Sequence, residues 1–212
     1  RRAAVGRVSR DSVALRPPTR PLHTFPDCEL TAAQPLIRGH RAANGPWWFA
    51  SSGGGRFDLT PPRGTCYLAF DELTAIRETV GEALATTGVI SEDFAVTRQL
   101  STLAVPHPHR VADTCADAAA DYGLTRELSS MTPYAVPQEW AAGFDAAFAG
   151  LRYRTRFTTG PNPNAVALFR EAGEADWPTD PNPEPFAAAA RRCGLTVARP
   201  PRSVRIVSPP AS

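Results

Sequence analysis

The chain has 212 residues, 42% of them apolar, with a formal net charge of +2. That length suits one domain with a tail rather than two full domains, and the apolar share is enough for a packed core. The charge is too small to argue for nucleic acid by itself, and no stretch approaches the ~20 apolar residues of a bilayer-spanning helix.

Residues 1–30 are rich in Arg, Pro and Ala. They read as a basic N-terminal extension, leaving 31–212 as a single domain. The opening RRAAVGRVSRDS lacks the long apolar core of a secretory signal and reads first as a terminus, with a nucleic-acid-binding arm as the third-ranked alternative. QPLIRGHR reads as the first strand, with Arg38 near its end, and AANGPWW as a turn into an aromatic pair. GTCYLAF is short, apolar and aromatic, as a buried strand should be. Asp71 is placed to cap a helix running to about Thr87, because its carboxylate can accept first-turn N–H groups. On that helix Leu73, Ile76, Val80 and Leu84 recur at helical spacing, and Glu78 points off their stripe. Taken alone, this favours a solvated carboxylate; the sharper alternative is a helix that overhangs a cleft.

Further along, VTRQLSTLAV reads as a strand and DTCADAAADYG as a short helix stopped at Gly123. PQEWAAGFDAAFAG is a stronger helix, with Pro137 in its first turn and Trp140, Phe144 and Phe148 on a core-facing side. LRYRTRF alternates as a strand does, TTGPNPN is a turn, and AVALF is another strand. After the loop DWPTDPNPEP come a helix, PFAAAARRCG, and a last short strand, SVRIVS. Short strands and helices in irregular order point to α+β rather than a doubly wound parallel sheet.

The basic side chains are all arginine, with no lysine in the chain. Any anion site therefore uses the bidentate partner of carboxylate and phosphate. Cys28, Cys66, Cys115 and Cys193 match no zinc spacing and read as reduced packing residues, which fits a cytoplasmic protein. His107 and His109 flank Pro108 without a third ligand in view, so no metal site is expected.

The run SSGGGRFD invites a phosphate-loop reading, but Phe57, Asp58 and then prolines follow where a helix should start. The glycines are left the task of letting backbone turn or approach something closely. Arg38, Arg56, Tyr67 and Glu78 form a set with its own chemistry. Two guanidiniums can clamp a pyrophosphate, a tyrosine can face a heteroaromatic ring, and a carboxylate can hold a ribose hydroxyl or stabilise a developing cation. Cleavage of a nicotinamide–ribose bond fits that set. Residue types alone leave it one reading among several.

The stretch LIRGHRAANGPWWFASSGGGRFDLTPPRGTCYLAFDELTAIRETVGE resembles the RES domain family. Arg56, Tyr67 and Glu78 follow one another at intervals of 11 residues, in the order that family uses. PQEWA, GLRYRTRF and AVALF extend the similarity over roughly residues 34–170. The resemblance implies an ADP-ribosyltransferase-like fold with a split, largely antiparallel sheet and surrounding helices. It also implies a bacterial toxin that consumes NAD as glycohydrolase, or as phosphorylase with inorganic phosphate as co-substrate. NAD is then a substrate, with no further cofactor and no metal. A cognate helix-turn-helix antitoxin would neutralise it, and nucleic acid would be reached only through that partner.

Mapped by motif, Arg38 and Arg56 take the family arginine positions and hold phosphates. Tyr67 takes the pocket tyrosine, against the nicotinamide or its ribose. Glu78 takes the glutamate that orients the ribose and stabilises the cationic transition state. The family serine falls at Thr155, expected near the amide or a phosphate; threonine keeps the hydroxyl, adds a methyl group and stiffens χ1. Trp47, Trp48 and Arg156 are further candidate wall residues. ADP-ribosyl transfer to a protein is the alternative reaction. An inactive interaction module is the alternative from another class, with Thr155 as the feature that supports it.

Overall fold

Residues 15–159 and 164–199 are described by the structure, a computed structural model. In chain order the elements are β1 (Asp27–Leu30), β2 (Leu36–Arg41), β3 (Trp48–Phe49), β4 (Arg63–Ala69), α1 (Glu72–Val80), α2 (Glu82–Thr87), β5 (Val89–Ser91), α3 (Glu92–Ala95), β6 (Arg98–Leu103), β7 (His109–Asp113), α4 (Ala135–Asp145), β8 (Gly150–Tyr153), β9 (Ala165–Glu171), β10 (Gly173–Glu174), β11 (Glu184–Pro185), α5 (Phe186–Arg192) and β12 (Thr196–Ala198). Two 3-10 turns, Asp117–Tyr122 and Arg126–Ser129, lie between β7 and α4. Eight strands form one sheet in the order β1-β7-β8-β9-β4-β2-β6-β11. Its neighbours pair antiparallel except β7 with β8. The fold is thus α+β with a large, mostly antiparallel sheet, as the irregular element order predicts. Among the described residues, no helix is long and apolar enough to cross a membrane.

Side-chain alternation sorts the core onto the two faces of the sheet. On β9, Ala165, Ala167 and Phe169 pack with Trp140 and Phe144 of α4, whereas Val166 and Leu168 pack with Trp47 and Phe49. On β4, Cys66 and Leu68 share the Trp47 face. Tyr67 turns the other way toward the α4 cluster, and Ala69, on Tyr67's side, meets Ile37, Ile76 of α1 and Phe186 of α5. The α4 group and the α1–α5 group therefore cover the same face side by side. Tyr67 and Ala69 lie between them, and that gap is the cleft of interest.

Several sequence expectations need correction. Of the segment read as an extension, the described part from Leu15 onward packs on the domain. Leu15, Leu22 and Phe25 are buried against α4, Trp140 Nε1 donates to the Arg16 carbonyl at 2.8 Å, and β1 pairs with β7. Apolar residues scattered among prolines carry no period, so this packing left no local signal. Residues 1–14, the SVRIVS strand and residues 160–163 of the TTGPNPN turn lie outside the described part.

Helix α1 starts as expected, with Asp71 Oδ1 accepting from Thr74 N at 2.7 Å. It stops at Val80 because Gly81 adopts φ 66°, the left-handed region that breaks a helix, and α2 restarts beyond it. The strand expected over LRYRTRF ends at Tyr153, which pairs with Ala165, the first residue of β9. With no partner strand beyond, Arg154–Phe157 leave the sheet and fold over α1.

Candidate functional site

The glycine run is organised by a residue that the sequence reading passed over, Asp58, 4% exposed. Its Oδ2 accepts from Gly55 N at 3.0 Å and Ser52 Oγ at 3.1 Å. Its Oδ1 accepts from the Tyr67 hydroxyl at 2.9 Å, and that hydroxyl accepts from Phe57 N at 2.8 Å. From α4, Gln138 Nε2 donates to the carbonyls of Gly53 at 3.0 Å and Gly55 at 2.9 Å. The loop is therefore a closed ring on a buried carboxylate, and it fixes where Arg56 leaves the backbone. Burial, then the Asp58 charge, raise the Tyr67 phenol well above its ordinary pKa, so it stays a donor to Asp58. Asp58→Asn places an amide N–H against donors and is expected to lower unfolding free energy by about 2 kcal/mol. Urea unfolding with an unchanged m-value would report it.

The cleft has a volume of about 340 Å³, and Arg56, Tyr67, Glu78, Tyr153 and Arg156 are among its walls. The Phe157 backbone N–H donates to Glu78 Oε1 at 2.7 Å. This contact exists because the chain leaves the sheet after Tyr153. Burial raises the Glu78 pKa; the Phe157 N–H, the Thr155 hydroxyl and the charges of Arg56 and Arg156 pull it back down. Arg56 donates through Nη1 to the Met131 carbonyl, and its guanidinium lies 4.6 Å from the centre of the Tyr134 ring. Burial holds Arg56 below the ordinary guanidinium pKa. Tyr153 is 7% exposed; burial, then the Glu78 charge, push its phenol far up. The result is one desolvated carboxylate with lone pairs to spare, two nearby guanidiniums and several aromatic faces. It suits a ligand with anionic groups, hydroxyls and a centre that becomes cationic.

Of the sequence-predicted set, Arg56, Tyr67 and Glu78 come together here, and so does Arg156. Arg38 does not bring its charge into the cleft. Strand alternation turns its side chain to the face shared by Leu36 and Cys66, opposite Tyr67. There Nη1 donates to the Pro46 carbonyl and to Cys66 Sγ, and Nη2 to the Trp48 carbonyl at 2.8 Å. Arg38 borders the cleft but braces the turn before β3. Thr155 is not a cleft wall. It is 8% exposed, sits behind Glu78, and lines a second cavity. Trp47 is core, its Nε1 donating to the Pro178 carbonyl at 2.8 Å, and Trp48 is exposed outside the cleft.

Tyr153, Tyr134 and Phe157 were missed. The YRTR alternation hid Tyr153 as one more inward strand residue, and nothing local marks a backbone N–H as a carboxylate's partner. The four cysteines are free. His107 and His109 stand 4.5 Å apart ring to ring, and no group of three or more His, Cys, Asp or Glu able to hold a metal occurs among the described residues.

Comparison with known proteins adds three findings. The profile of the RES domain matches residues 35–188, a span that contains every cleft residue named above. Among solved structures, a chain of the M.tuberculosis MbcT-MbcA toxin-antitoxin complex matches with a TM-score of 0.54 and 16% identity, over 66% of this chain and 76% of that one. At that identity the likeness is one of fold. No curated protein sequence matches the chain.

Proposed function

The chain belongs to the RES domain family, and from that premise we propose that it is a toxin-type enzyme that cleaves the nicotinamide–ribose bond of NAD. One observation carries the proposal: the Glu78 carboxylate, fixed by the Phe157 N–H and partly desolvated, in a cleft shared with Arg56, Arg156 and tyrosines. Arg56 and Arg156 hold the dinucleotide phosphates by charge-assisted hydrogen bonds, each worth ~1.5–3 kcal/mol. Arg156 thus takes the part that the sequence alone suggests for Arg38. The Tyr67 and Tyr134 rings bound the space for the nicotinamide and its ribose. A free lone pair of Glu78 accepts from a ribose hydroxyl. As the C–N bond breaks, nicotinamide leaves with the bonding electron pair, and the Glu78 charge stabilises the cationic ribosyl carbon. An oxygen of water or phosphate then bonds to that carbon, and the proton that an attacking water loses passes to solvent. Thr155 lies close to Glu78 and favours its ionised form, while its hydroxyl donates to the Thr158 carbonyl at 3.5 Å.

Such an enzyme poisons its own cell unless restrained. The structural neighbour is a toxin–antitoxin complex, and a partner that covers the cleft is proposed here by likeness to it. Reduced cysteines suit a cytoplasmic setting.

The purified chain, incubated with NAD, is expected to release nicotinamide, followed by chromatography with and without inorganic phosphate. ADP-ribose as co-product identifies water as acceptor, and its phosphorylated form identifies phosphate. Mass added to a protein identifies ADP-ribosyl transfer instead. No nicotinamide from any of these mixtures would sink the enzymatic reading.

A further inference from the structure

Asn164 stands where three paired strands end together. It precedes Ala165, the first residue of β9, which pairs with Tyr153, the last of β8, and with Ala69, the last of β4. Its backbone serves both neighbours. Asn164 N donates to the Tyr153 carbonyl at 3.2 Å, and its own carbonyl accepts from Phe70 N at 3.0 Å, just before the Asp71 cap of α1. Its side chain reaches past the sheet: Oδ1 accepts from Thr155 N at 2.9 Å, and Nδ2 donates to Thr74 Oγ1 at 3.5 Å. One orientation of the amide suits both partners. The Thr155 N–H requires an oxygen, and Thr74 has given its hydroxyl proton to Asp71 Oδ2 at 2.7 Å, so towards Asn164 it can only accept.

Both partners bear on the cleft. Thr74 lies one turn before Glu78 on the same side of α1, and Thr155 lies two residues before Phe157. Asn164 therefore joins α1 to the departing chain once, between Thr74 and Thr155. Glu78 joins them again one turn on, where its Oε1 accepts from Phe157 N at 2.7 Å. Beyond Tyr153 no sheet pairing holds this chain, so the second tie depends on the first. The acceptor at 164 is also neutral, and adds no negative charge beside the carboxylate.

We propose that Asn164 is a positioning residue for Glu78: it sets where the chain leaves the sheet, and so places the Phe157 N–H on the carboxylate and Arg156 at the cleft wall. Its importance for catalysis rests on the NAD reading above; its hold on Glu78 does not. Arg56, Arg156 and Tyr153 also face Glu78, and Arg156 rides on the segment that Asn164 holds. Release of that segment removes the Phe157 N–H and shifts Arg156, two of the influences that favour the ionised carboxylate against burial. Glu78 then becomes harder to ionise.

Amide hydrogen exchange and an NMR titration of labelled Glu carboxyls test this without turnover, the Glu78 signal being the one missing in Glu78→Gln. In the wild type the Thr155 and Phe157 amides are expected to be protected. Asn164→Ala is expected to speed exchange of both ~10-fold or more while Leu168 in β9 stays as it was. It should also move the Glu78 titration, and with it the acid limb of nicotinamide release, to higher pH. Asn164→Asp keeps an oxygen for the Thr155 N–H and should hold both amides within ~3-fold of the wild type. The proposal is overturned if the Thr155 amide exchanges freely in the wild type, or if Asn164→Ala leaves Phe157 exchange and the Glu78 titration unchanged. It is equally overturned if Asn164→Asp frees the Phe157 amide. The wild-type exchange and Asn164→Asp decide the matter should Asn164→Ala not fold. The expected exchange and titration shifts in a protein that releases no nicotinamide would overturn the NAD reading alone.

Discussion

Replacing Glu78 with Gln is expected to cut NAD cleavage ~10²-fold or more, while the variant melts no lower than the wild type. The rate loss follows from the group's role: a negative charge beside a carbon that turns cationic matters most in the transition state, so kcat falls rather than KM rising. The amide keeps the shape and its oxygen still accepts the Phe157 N–H. Stability follows from the direction of the pKa shift. Burial raises Glu78 above its ordinary carboxylate value, so the folded state binds this proton more tightly than the unfolded chain does. Ionising the group therefore costs folding free energy as pH rises through the folded pKa, and Gln removes that cost. The same shift sets the pH profile. Only the ionised form can stabilise the cation, so wild-type kcat should fall on acidification at a higher pH than an ordinary carboxylate would give. Stopped assays of nicotinamide release across pH, with thermal melts of both proteins, check the pair of effects. A Gln variant as fast as the wild type would remove Glu78 from the chemistry.

How legible these features were depends on whether their causes lie close in the chain. The Asp71 cap, the Gly123 stop, β4 and the core stripe of α4 arise from neighbouring residues, and all were readable. Gly81 is a visible residue, but the fate of a glycine inside a periodic pattern is decided by what the next turn must pack on. Arg38 is the instructive case. Its position in the chain fitted a clamp, yet its direction is set by register: Leu36 pairs with Leu103, which places Arg38 on the Leu36 face, away from Ile37. A single sequence carries no register. Likewise, Glu78 and the Phe157 N–H are 79 residues apart. Their meeting needs β8 to end where β9 has no more partners to give, and alternation in LRYRTRF conceals that end. Family similarity recovered Arg56, Tyr67 and Glu78 because it encodes such distant meetings without explaining them.

Gly55→Ala is expected to destabilise the protein by about 3 kcal/mol and to depress NAD cleavage with it, whereas Gly54→Ala should change stability by less than ~0.5 kcal/mol. The three glycines look equivalent in the sequence and are not. Gly53 takes φ 74°, a backbone conformation that glycine tolerates. A Cβ on Gly54 would meet only Ser52 Oγ, at 3.3 Å. A Cβ on Gly55 would stand 2.2 Å from Asp58 Oδ1 and 2.5 Å from Tyr67 Oη. Neither atom can yield cheaply, because Asp58 is buried and tied to the Gly55 N–H, and Tyr67 is tied to both Asp58 and Phe57 N. The alanine must therefore break the ring of hydrogen bonds, leaving buried donors unpaired, or push Tyr67 into the cleft it borders. Either outcome also moves Arg56, the next residue, off the position from which it faces Glu78. Urea unfolding of the two variants side by side, with nicotinamide release measured on each, separates these roles. Equal stability for both would mean that the loop is not closed on Asp58, and that Arg56 is held by its contacts with Met131 and Tyr134 alone.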